Sequence, residues 1–319
     1  MTASAVVFAY HDVGARCLSV LLQRGLDIAL VVTHRDDPGE NTWFESVERL
    51  ARESGLPVEM PDDPNAPAFL ARLRAIAPDF IFSFYYRRML SSAVLATARR
   101  GAFNMHGSLL PKYRGRAPVN WAVLRGERET GATLHEMVDK PDAGRIVDQE
   151  AVPIGENDKA HAVMSGITHA AQRVLLRSLP RLLDGTAQLA RQDLTLGSYF
   201  GGRRPEDGRI DWTKPAWEVH NLIRAVAPPY PGAFTTWDAK VLRILGSWWD
   251  APSAELPTAG VPGDIATLEG RKAYVRCGDG RWLDIREAQF PDEGSPRSGR
   301  DLVTRFAGGP SRVGESAPC

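Results

Sequence analysis

The sequence has few cysteines, no excess of charge of either sign and no long hydrophobic run. Its three cysteines lie far apart in 319 residues, which excludes a disulfide framework and favours a reducing compartment, the cytoplasm. Binding to a nucleic-acid backbone requires a positive excess, whereas 39 basic residues here balance 39 acidic ones. No apolar stretch reaches the length of about 18 residues that a membrane span needs, and no basic segment opens the chain, so we expect neither membrane insertion nor secretion.

Motifs for the common cofactors are also missing. The turn after the first apolar run, residues 10–14, contains no G-x-G-x-x-G, and no G-x-x-x-x-G-K-[ST] occurs. An enzyme dependent on nicotinamide or ATP therefore has no sequence support. No H-E-x-x-H occurs either, and His161 and His169 lie about two helical turns apart, too far for a shared ion. The sequence predicts no metal site.

The first 150 residues alternate between strand-like and helix-like segments. Short, almost wholly apolar runs predict strands at 5–10, 26–33, 79–86 and 102–106, with a short one at Val58. Apolar residues with a period near 3.6 predict helices at 13–24, 41–54, 68–76 and 91–99, the second opened by a capping box of Thr42 and Glu45. This alternation predicts an α/β fold, a Rossmann-like mainly parallel sheet with helices on both faces.

The pattern changes after the long helix predicted at 158–183, which follows two strands at 132–138 and 145–154. Residues 197–208 are rich in glycine and charge and suit a linker. A short helix at 215–226 and brief strands punctuated by glycine and proline then predict a small OB-like β-barrel. The predicted divisions are a catalytic domain at 1–200, the OB-like domain at 201–290 and a flexible tail at 291–319, where apolar residues become sparse.

Two polar side chains at the end of a predicted strand are candidates for chemistry. Asn104 and His106 lie two positions apart, so both project from one face of the strand, just before a glycine loop. A neutral imidazole can accept a proton near pH 7, and an amide can donate to a developing oxyanion. On its own, an Asn-x-His pair more often caps a turn and satisfies a buried carbonyl group.

A basic loop and a turn aspartate add to this pair. Lys112, Arg114 and Arg116 crowd into a loop bent by proline and glycine, and such cations suit phosphate or carboxylate recognition. Asp142 lies on a Pro/Gly turn, where a carboxylate could support an imidazole. Taken alone, the loop fits a solvated surface and Asp142 an ordinary turn residue.

The combined motifs resemble the folate-dependent formyltransferases. The matching segments are Asn104-x-His106-Gly107-Ser108-Leu109-Leu110-Pro111, Tyr113-Arg114-Gly115, Asp142-x-Gly144 and residues 202–212 and 223–225. The resemblance implies that His106, Asn104 and Asp142 form the catalytic group and that 10-formyltetrahydrofolate donates the formyl group. It also implies that the donor contacts Arg88, Met89, Leu90, Arg116, Val138, Asp139, Lys140, Pro141 and Asp142.

Within that family, residues 6–12, 33–40 and 82–87 are most similar to the formyltransferase half of bifunctional polymyxin-resistance proteins. This implies formylation of UDP-4-amino-4-deoxy-L-arabinose in lipid A modification, with Lys112 and Arg114 as candidates for binding the acceptor. The bifunctional relatives continue into a decarboxylase domain, which leaves two alternatives: that activity lies on a separate polypeptide, or this chain is an excised domain. A homodimer is also left open. The alternatives are a methionyl-tRNA formyltransferase, which a net acidic 34–40 loop disfavours, and a formyltetrahydrofolate hydrolase.

Overall fold

The computed structural model describes residues 3–39, 41–250, 255–268 and 270–314. The chain divides into two compact units, and each is described by itself. The first unit comprises residues 1–118, 129–153 and 164–201, and the second comprises residues 119–128, 154–163 and 202–319. Within the described ranges, no helix is both long and apolar enough to cross a membrane.

A seven-stranded mixed sheet organises the first unit. Its strands, with two short ones outside the sheet, are β1 (Ser4–Ala9), β2 (Asp27–Val32), β3 (Val58–Glu59), β4 (Phe80–Phe84), β5 (Gly101–His106), β6 (Arg114–Gly115), β7 (Glu129–Glu136), β8 (Ile146–Pro153) and β9 (Tyr199–Phe200). The order is β3-β2-β1-β4-β5-β7-β8, parallel through β5 and antiparallel at β7 and β8, while β6 pairs with β9. The chain therefore reverses its direction of winding between β1 and β4.

The central strands are buried on both faces. Every residue from Ala5 to Ala9 is fully buried, as a strand covered by helices on each side requires. On one face, Val6 and Phe8 pack with Phe69 and Leu73 of the helix that precedes β4. The predicted fold class is a Rossmann-like, mainly parallel sheet with helices on both faces, followed by a small OB-like β-barrel domain. The mainly parallel sheet and a following antiparallel β domain are confirmed.

The helices correspond to the apolar periodicity with shifted ends. They are α1 (His11–Gln23), α2 (Val47–Glu53), α3 (Pro67–Ile76), α4 (Ser92–Leu95), α5 (Pro118–Leu124), α6 (Ala160–Asp184), α7 (Ala216–Val226) and α8 (Gly299–Ala307). The helix predicted at 91–99 is reduced to the single turn of α4. Its predicted last residue, Arg99, donates its amide to the carbonyl of Pro78, so the backbone has already turned towards β5.

The predicted helix at 41–54 is wrong at its start. The capping box of Thr42 and Glu45 does not form, and α2 is capped instead by Ser46, whose side chain accepts a hydrogen bond from the first turn. The amide of Glu45 donates to Asp12 at 2.8 Å, so contacts with α1 hold this segment out of the helix. Tertiary contact has overridden a local helix signal.

An antiparallel sheet organises the second unit. Its strands are β10 (Ala233–Trp237), β11 (Lys240–Trp248), β12 (Ile265–Leu268), β13 (Lys272–Arg276), β14 (Trp282–Gln289) and β15 (Arg297–Ser298). The order is β10-β11-β14-β13-β12, and β15 pairs with β14. Helix α7 is buried along most of its length, with His220 and Arg224 among the buried residues.

The prediction of a flexible tail from residue 291 is wrong for residues 297–307. These residues form β15 and α8, and Leu302, Val303 and Phe306 are buried. The ring of Phe306 packs against Phe290 with centroids 5.6 Å apart. A few apolar side chains on one helical face are sufficient to order a polar segment. Residues 315–319 of the predicted tail lie outside the described residues.

Candidate active site

Strand β5 places two of the predicted residues together. Asn104 and His106 lie two positions apart near its carboxyl end, so they share one face of the sheet. The antiparallel neighbour β7 sets His135 directly opposite Asn104 and Thr133 opposite His106. His106 is only 6% exposed, and Asn104 is half-buried.

The imidazole of His106 has a defined orientation. Its Nε2 atom lies 2.8 Å from the carbonyl oxygen of Tyr113. Since a carbonyl oxygen can only accept, Nε2 carries a proton, and the lone pair of the neutral ring is on Nδ1. Nδ1 lies 3.6 Å from Oδ1 of Asp142, which is longer than a hydrogen bond but close enough for strong attraction once the ring is charged.

Asp142 is held rigidly on its turn. Its backbone adopts a left-handed conformation with φ near 52°, and its Oδ2 accepts a 2.8 Å hydrogen bond from the Gly115 amide. Gly144 is required here because a Cβ atom would lie 1.8 Å from the carbonyl oxygen of Glu136. Burial alone would raise the pKa of Asp142, but the charges of His106 and His135, with these hydrogen bonds, hold that pKa well below its usual range.

His135 is a site residue that the sequence did not reveal. It is 2% exposed, and its Nε2 lies 3.1 Å from Nδ2 of Asn104 and 3.5 Å from Oδ1 of Asp142. Its Nδ1 donates to the carbonyl of Glu136 at 2.8 Å. The ring therefore bridges Asn104 and Asp142. Among the described residues, no three His, Cys, Asp or Glu side chains are grouped to hold a metal ion.

All but one of the residues that the resemblance assigns to the donor lie in two turns of the first unit, and the exception, Arg116, lies in the basic loop after β6. One turn, after β4, contains Arg88, Met89 and Leu90, and the other, after β7, contains Val138–Asp142. Met89 is 58% exposed and Val138 is 40% exposed, whereas Leu90 is buried. Exposed apolar side chains beside the exposed cations Arg88 and Lys140 suit a flat aromatic ligand with an anionic end.

Side chains join and support these two turns. The hydroxyl of Ser92 donates to Asp139, so the start of α4 is tied to the second turn. Asn65 supports the first turn, because its Nδ2 donates to the carbonyl of Met89 at 2.9 Å and its Oδ1 accepts from the amide of Ser91 at 2.7 Å. The two segments therefore form one surface within the first unit.

The three cations of the basic loop differ in their surroundings. Lys112 and Arg116 are exposed, whereas Arg114 is only 8% exposed. The buried Nε of Arg114 has no hydrogen-bond partner among the described residues. A buried guanidinium with an unfilled donor is suited to an anionic ligand.

The arrangement provides the parts of an acyl-transfer site. His106 supplies a base at Nδ1, Asp142 a nearby negative charge, and Asn104 an amide that can donate to an oxyanion. These groups meet at the carboxyl end of β5, the edge where open α/β sheets bind ligands.

Two family models match the chain, one over most of the first part and one over the C-terminal part. Residues 5–179 match the family model described as formyl transferase, and residues 203–306 match the formyl transferase C-terminal domain. The fold is similar to an N-formyltransferase from Helicobacter canadensis, solved with folinic acid and dTDP-3-aminofucose. That match has a TM-score of 0.68 and 22% identity, and it covers 89% of this chain and 99% of that chain.

Two further solved structures share the fold. WlaRD, a sugar 3N-formyl transferase solved with dTDP and 5-N-formyl-THF, has a TM-score of 0.69 at 20% identity, over 92% of this chain and 99% of that chain. A 4-N formyltransferase from Francisella tularensis has a TM-score of 0.59 at 17% identity, over 73% and 91%. At these identities the likeness establishes the fold. Because the first family model alone spans more than half of the chain, the chain is an enzyme of the formyl transferase family.

Proposed function

We propose that the protein transfers the formyl group of 10-formyltetrahydrofolate to the 4-amino group of UDP-4-amino-4-deoxy-L-arabinose. The observation that carries the proposal is the convergence of Asn104, His106 and Asp142 at one strand end, on a chain of the formyl transferase family. A role in lipid A modification and polymyxin resistance, a cytoplasmic location and a separate decarboxylase belong to the same proposal.

His106 acts as the base. The acceptor nitrogen forms a bond to the formyl carbon, and the proton that it must lose passes to Nδ1 of His106. Asp142, 3.6 Å away, stabilises the positive charge that the ring then holds. His106 returns the proton to N10 of the folate as the bond between N10 and the formyl carbon breaks. General acid–base catalysis of this kind contributes roughly 10²–10⁴ in rate.

Asn104 stabilises the developing oxyanion. Its side-chain amide donates to the formyl oxygen while the carbon is tetrahedral, and one such donor contributes about 10²–10³ in rate. His135 bridges Asn104 and Asp142 and so fixes the direction of the amide. Asn104 is therefore preorganised before the substrates arrive.

The donor and acceptor use different parts of the first unit. The donor supplies the formyl carbon, lies along Arg88–Leu90 and Val138–Asp142, and contacts Arg116. Lys112 and Arg114 bind the diphosphate of the acceptor, and the unfilled Nε of Arg114 supports this assignment. Cations that bind a diphosphate also explain a locally basic loop in a chain of zero net charge.

Competition between acceptors tests the proposal. The enzyme receives formyl-labelled 10-formyltetrahydrofolate with equimolar UDP-4-amino-4-deoxy-L-arabinose and methionyl-tRNA, and label is followed into each. We expect label in the sugar nucleotide, since the 34–40 segment is net acidic and disfavours tRNA. Label mainly in tRNA would establish the tRNA enzyme instead, and release of formate at the same rate without acceptor would establish a hydrolase.

A further inference from the structure

We propose that residues 190–200, termed the strap, position the catalytic groups by clamping the two loops that carry their partners. The proposal rests on the proposed function, because it assigns a role in the same reaction. The strap lies outside the family motifs recognised in the sequence, and none of its residues is placed at the reacting atoms.

The first part of the strap holds the turn of Asp142. Gln192 donates its side-chain amide to the carbonyl of Asp142 at 3.0 Å and to that of Gly144 at 2.6 Å. Ala190 and Ile146 exchange two backbone hydrogen bonds of 2.8 Å each, which fixes the strap at the start of β8. The Asp142 turn is thus held from its C-terminal side by one side chain and one bridge.

The second part of the strap holds the loop that contacts His106. The hydroxyl of Ser198 accepts from the amide of Tyr113 at 2.9 Å, and the Ser198 carbonyl accepts from the amide of Arg114 at 3.0 Å. The Phe200 carbonyl accepts from the amide of Arg116 at 3.0 Å, and the rings of Tyr113 and Phe200 stack with centroids 5.3 Å apart. The strap therefore binds the backbone of this loop at three of its residues, Tyr113, Arg114 and Arg116.

These contacts act on the atoms that orient the catalytic groups. The peptide carbonyl of Tyr113 accepts a hydrogen bond from Nε2–H of His106, and the amide of Gly115 donates to Asp142. The strap also approaches closely at Gly115, where a Cβ atom would lie 2.2 Å from the Phe200 carbonyl oxygen. One segment thus fixes both ends of the 3.6 Å separation between His106 and Asp142.

Small losses of alignment at such a site have large kinetic effects. A displacement of about 1 Å in reacting groups can cost about 10²-fold in rate, while binding of substrates elsewhere is unaffected. Weakening the strap should therefore lower kcat and leave KM unchanged. A purely structural connection would instead affect the amount of folded enzyme and leave kcat per folded molecule intact.

The test uses the full chain and matched variants. Gln192→Met removes the two donors at nearly constant volume, and Ser198→Ala removes one acceptor, whereas Ser198→Thr keeps the hydroxyl. Arg191→Met and Thr195→Ala are controls in exposed positions of the same strap. The Thr195 hydroxyl donates to Asp193 within the strap, and among the described residues neither side chain makes a hydrogen bond or ion pair with the two loops. Measurements are kcat, KM for donor and acceptor, melting temperature, and the ¹⁵N-histidine NMR signals of His106, assigned against His106→Ala.

We expect a fall in kcat of roughly 10- to 100-fold for Gln192→Met and Ser198→Ala, with both KM values within about threefold, and a shifted Nε2–H signal of His106. The controls and Ser198→Thr should resemble the wild type. If Gln192→Met does not fold, the comparison of Ser198→Ala with Ser198→Thr tests the proposal instead. A kcat per folded molecule within about twofold of wild type, with an unmoved His106 signal, overturns the proposal. An inactive wild type overturns the proposed function alone, because the NMR comparison needs no turnover.

Discussion

His106 donates from Nε2 to the carbonyl oxygen of Tyr113 at 2.8 Å, and this bond determines which nitrogen of the ring can serve as a base. The free lone pair is on Nδ1, on the side of Asp142. The carboxylate is too distant to hold the neutral ring and close enough to stabilise the charged one. Orientation and charge stabilisation are therefore provided by different partners, the Tyr113 carbonyl and Asp142.

Removal of either polar group on β5 should abolish most turnover. We expect His106→Ala and Asn104→Ala each to lower kcat by at least about 10²-fold, since one loses the base and the other the oxyanion donor. Steady-state kinetics with the preferred acceptor measures this. Thr130→Ala on the neighbouring strand β7 is the control, and a variant of His106 or Asn104 that keeps more than about a tenth of wild-type kcat would refute the assignment.

Asp142→Asn should distinguish the role of the carboxylate charge in catalysis from the role of residue 142 in the fold of the turn. Asparagine tolerates the left-handed backbone near φ 52°, so the variant should fold, while kcat should fall strongly because the charged ring of His106 loses its counter-ion. The Asp142 pKa is held below its usual value, so its contribution to stability is present above about pH 4 and is lost as the pH falls further.

Urea unfolding of wild type and Asp142→Asn at pH 7, 4 and 3 measures that contribution. The wild type should lose more stability between pH 4 and 3 than the variant, in which residue 142 no longer titrates. Near-normal turnover and parallel stability profiles would reduce Asp142 to a turn residue and leave His106 without its counter-ion.

The positions of Asn104 and His106 were predictable because they depend on one strand. The alternation of side chains along β5 places them on one face whatever the neighbours are. Their partners depend on pairings between distant segments. His135 lies opposite Asn104 only because β7 runs antiparallel to β5, and no local pattern around Gln192 or Ser198 indicates a contact with the site.

The errors along the chain have the same origin. Thr42 and Glu45 form an acceptable local capping pattern, but a hydrogen bond from Glu45 to Asp12 on another helix prevails. The polar composition after residue 291 gives no signal for α8. That helix is ordered because Phe306 packs against the rings of Trp237 and Phe290, which come earlier in the sequence. Local propensity therefore predicted most of the helices and strands, whereas long-range contacts determined the residues at which they begin and end.

Loss of the His135 ring should weaken catalysis without removing a reacting group. We expect His135→Phe to lower kcat about 10-fold or more, because the side-chain amide of Asn104 loses the ring nitrogen that accepts its hydrogen bond and fixes its direction. The KM for the donor should change little. Kinetics beside melting temperatures tests this, and an unchanged kcat in a folded His135→Phe enzyme would exclude a positioning role.

Substitution of Asn65 should weaken binding of the donor and leave the chemical step unchanged. Asn65→Ala removes both hydrogen bonds that hold the turn around Met89, so we expect the KM for 10-formyltetrahydrofolate to rise several-fold with kcat nearly unchanged. Asp62→Ala, exposed in the same loop, is the control. Isothermal titration with folinic acid gives an independent value, and equal affinity for wild type and Asn65→Ala would contradict the assignment of this turn to the donor.

His220 should make the second unit sensitive to mild acid. The side chain is fully buried, with Nε2 2.9 Å from the Glu156 carbonyl and Nδ1 2.8 Å from the Ser247 hydroxyl, a pattern that a neutral ring satisfies with one donor and one acceptor. Burial, aided by the charge of Arg224 and opposed by the Glu156 hydrogen bond, lowers the pKa of His220 to about 4.

The unfolded chain binds this proton more readily than the folded one, so stability is fully present above about pH 6.5 and falls as the pH drops towards 4. The loss corresponds to roughly 3 kcal/mol across that window. His220→Gln does not titrate, so its unfolding free energy should vary less between pH 7 and 4.5, whereas His169→Gln, an exposed histidine on α6, should follow the wild type. Urea unfolding of the wild type and of both variants at pH 7 and 4.5 measures these differences. If wild type and His220→Gln lose stability in parallel, the acid sensitivity has another source, because the buried imidazole is the group that the substitution removes.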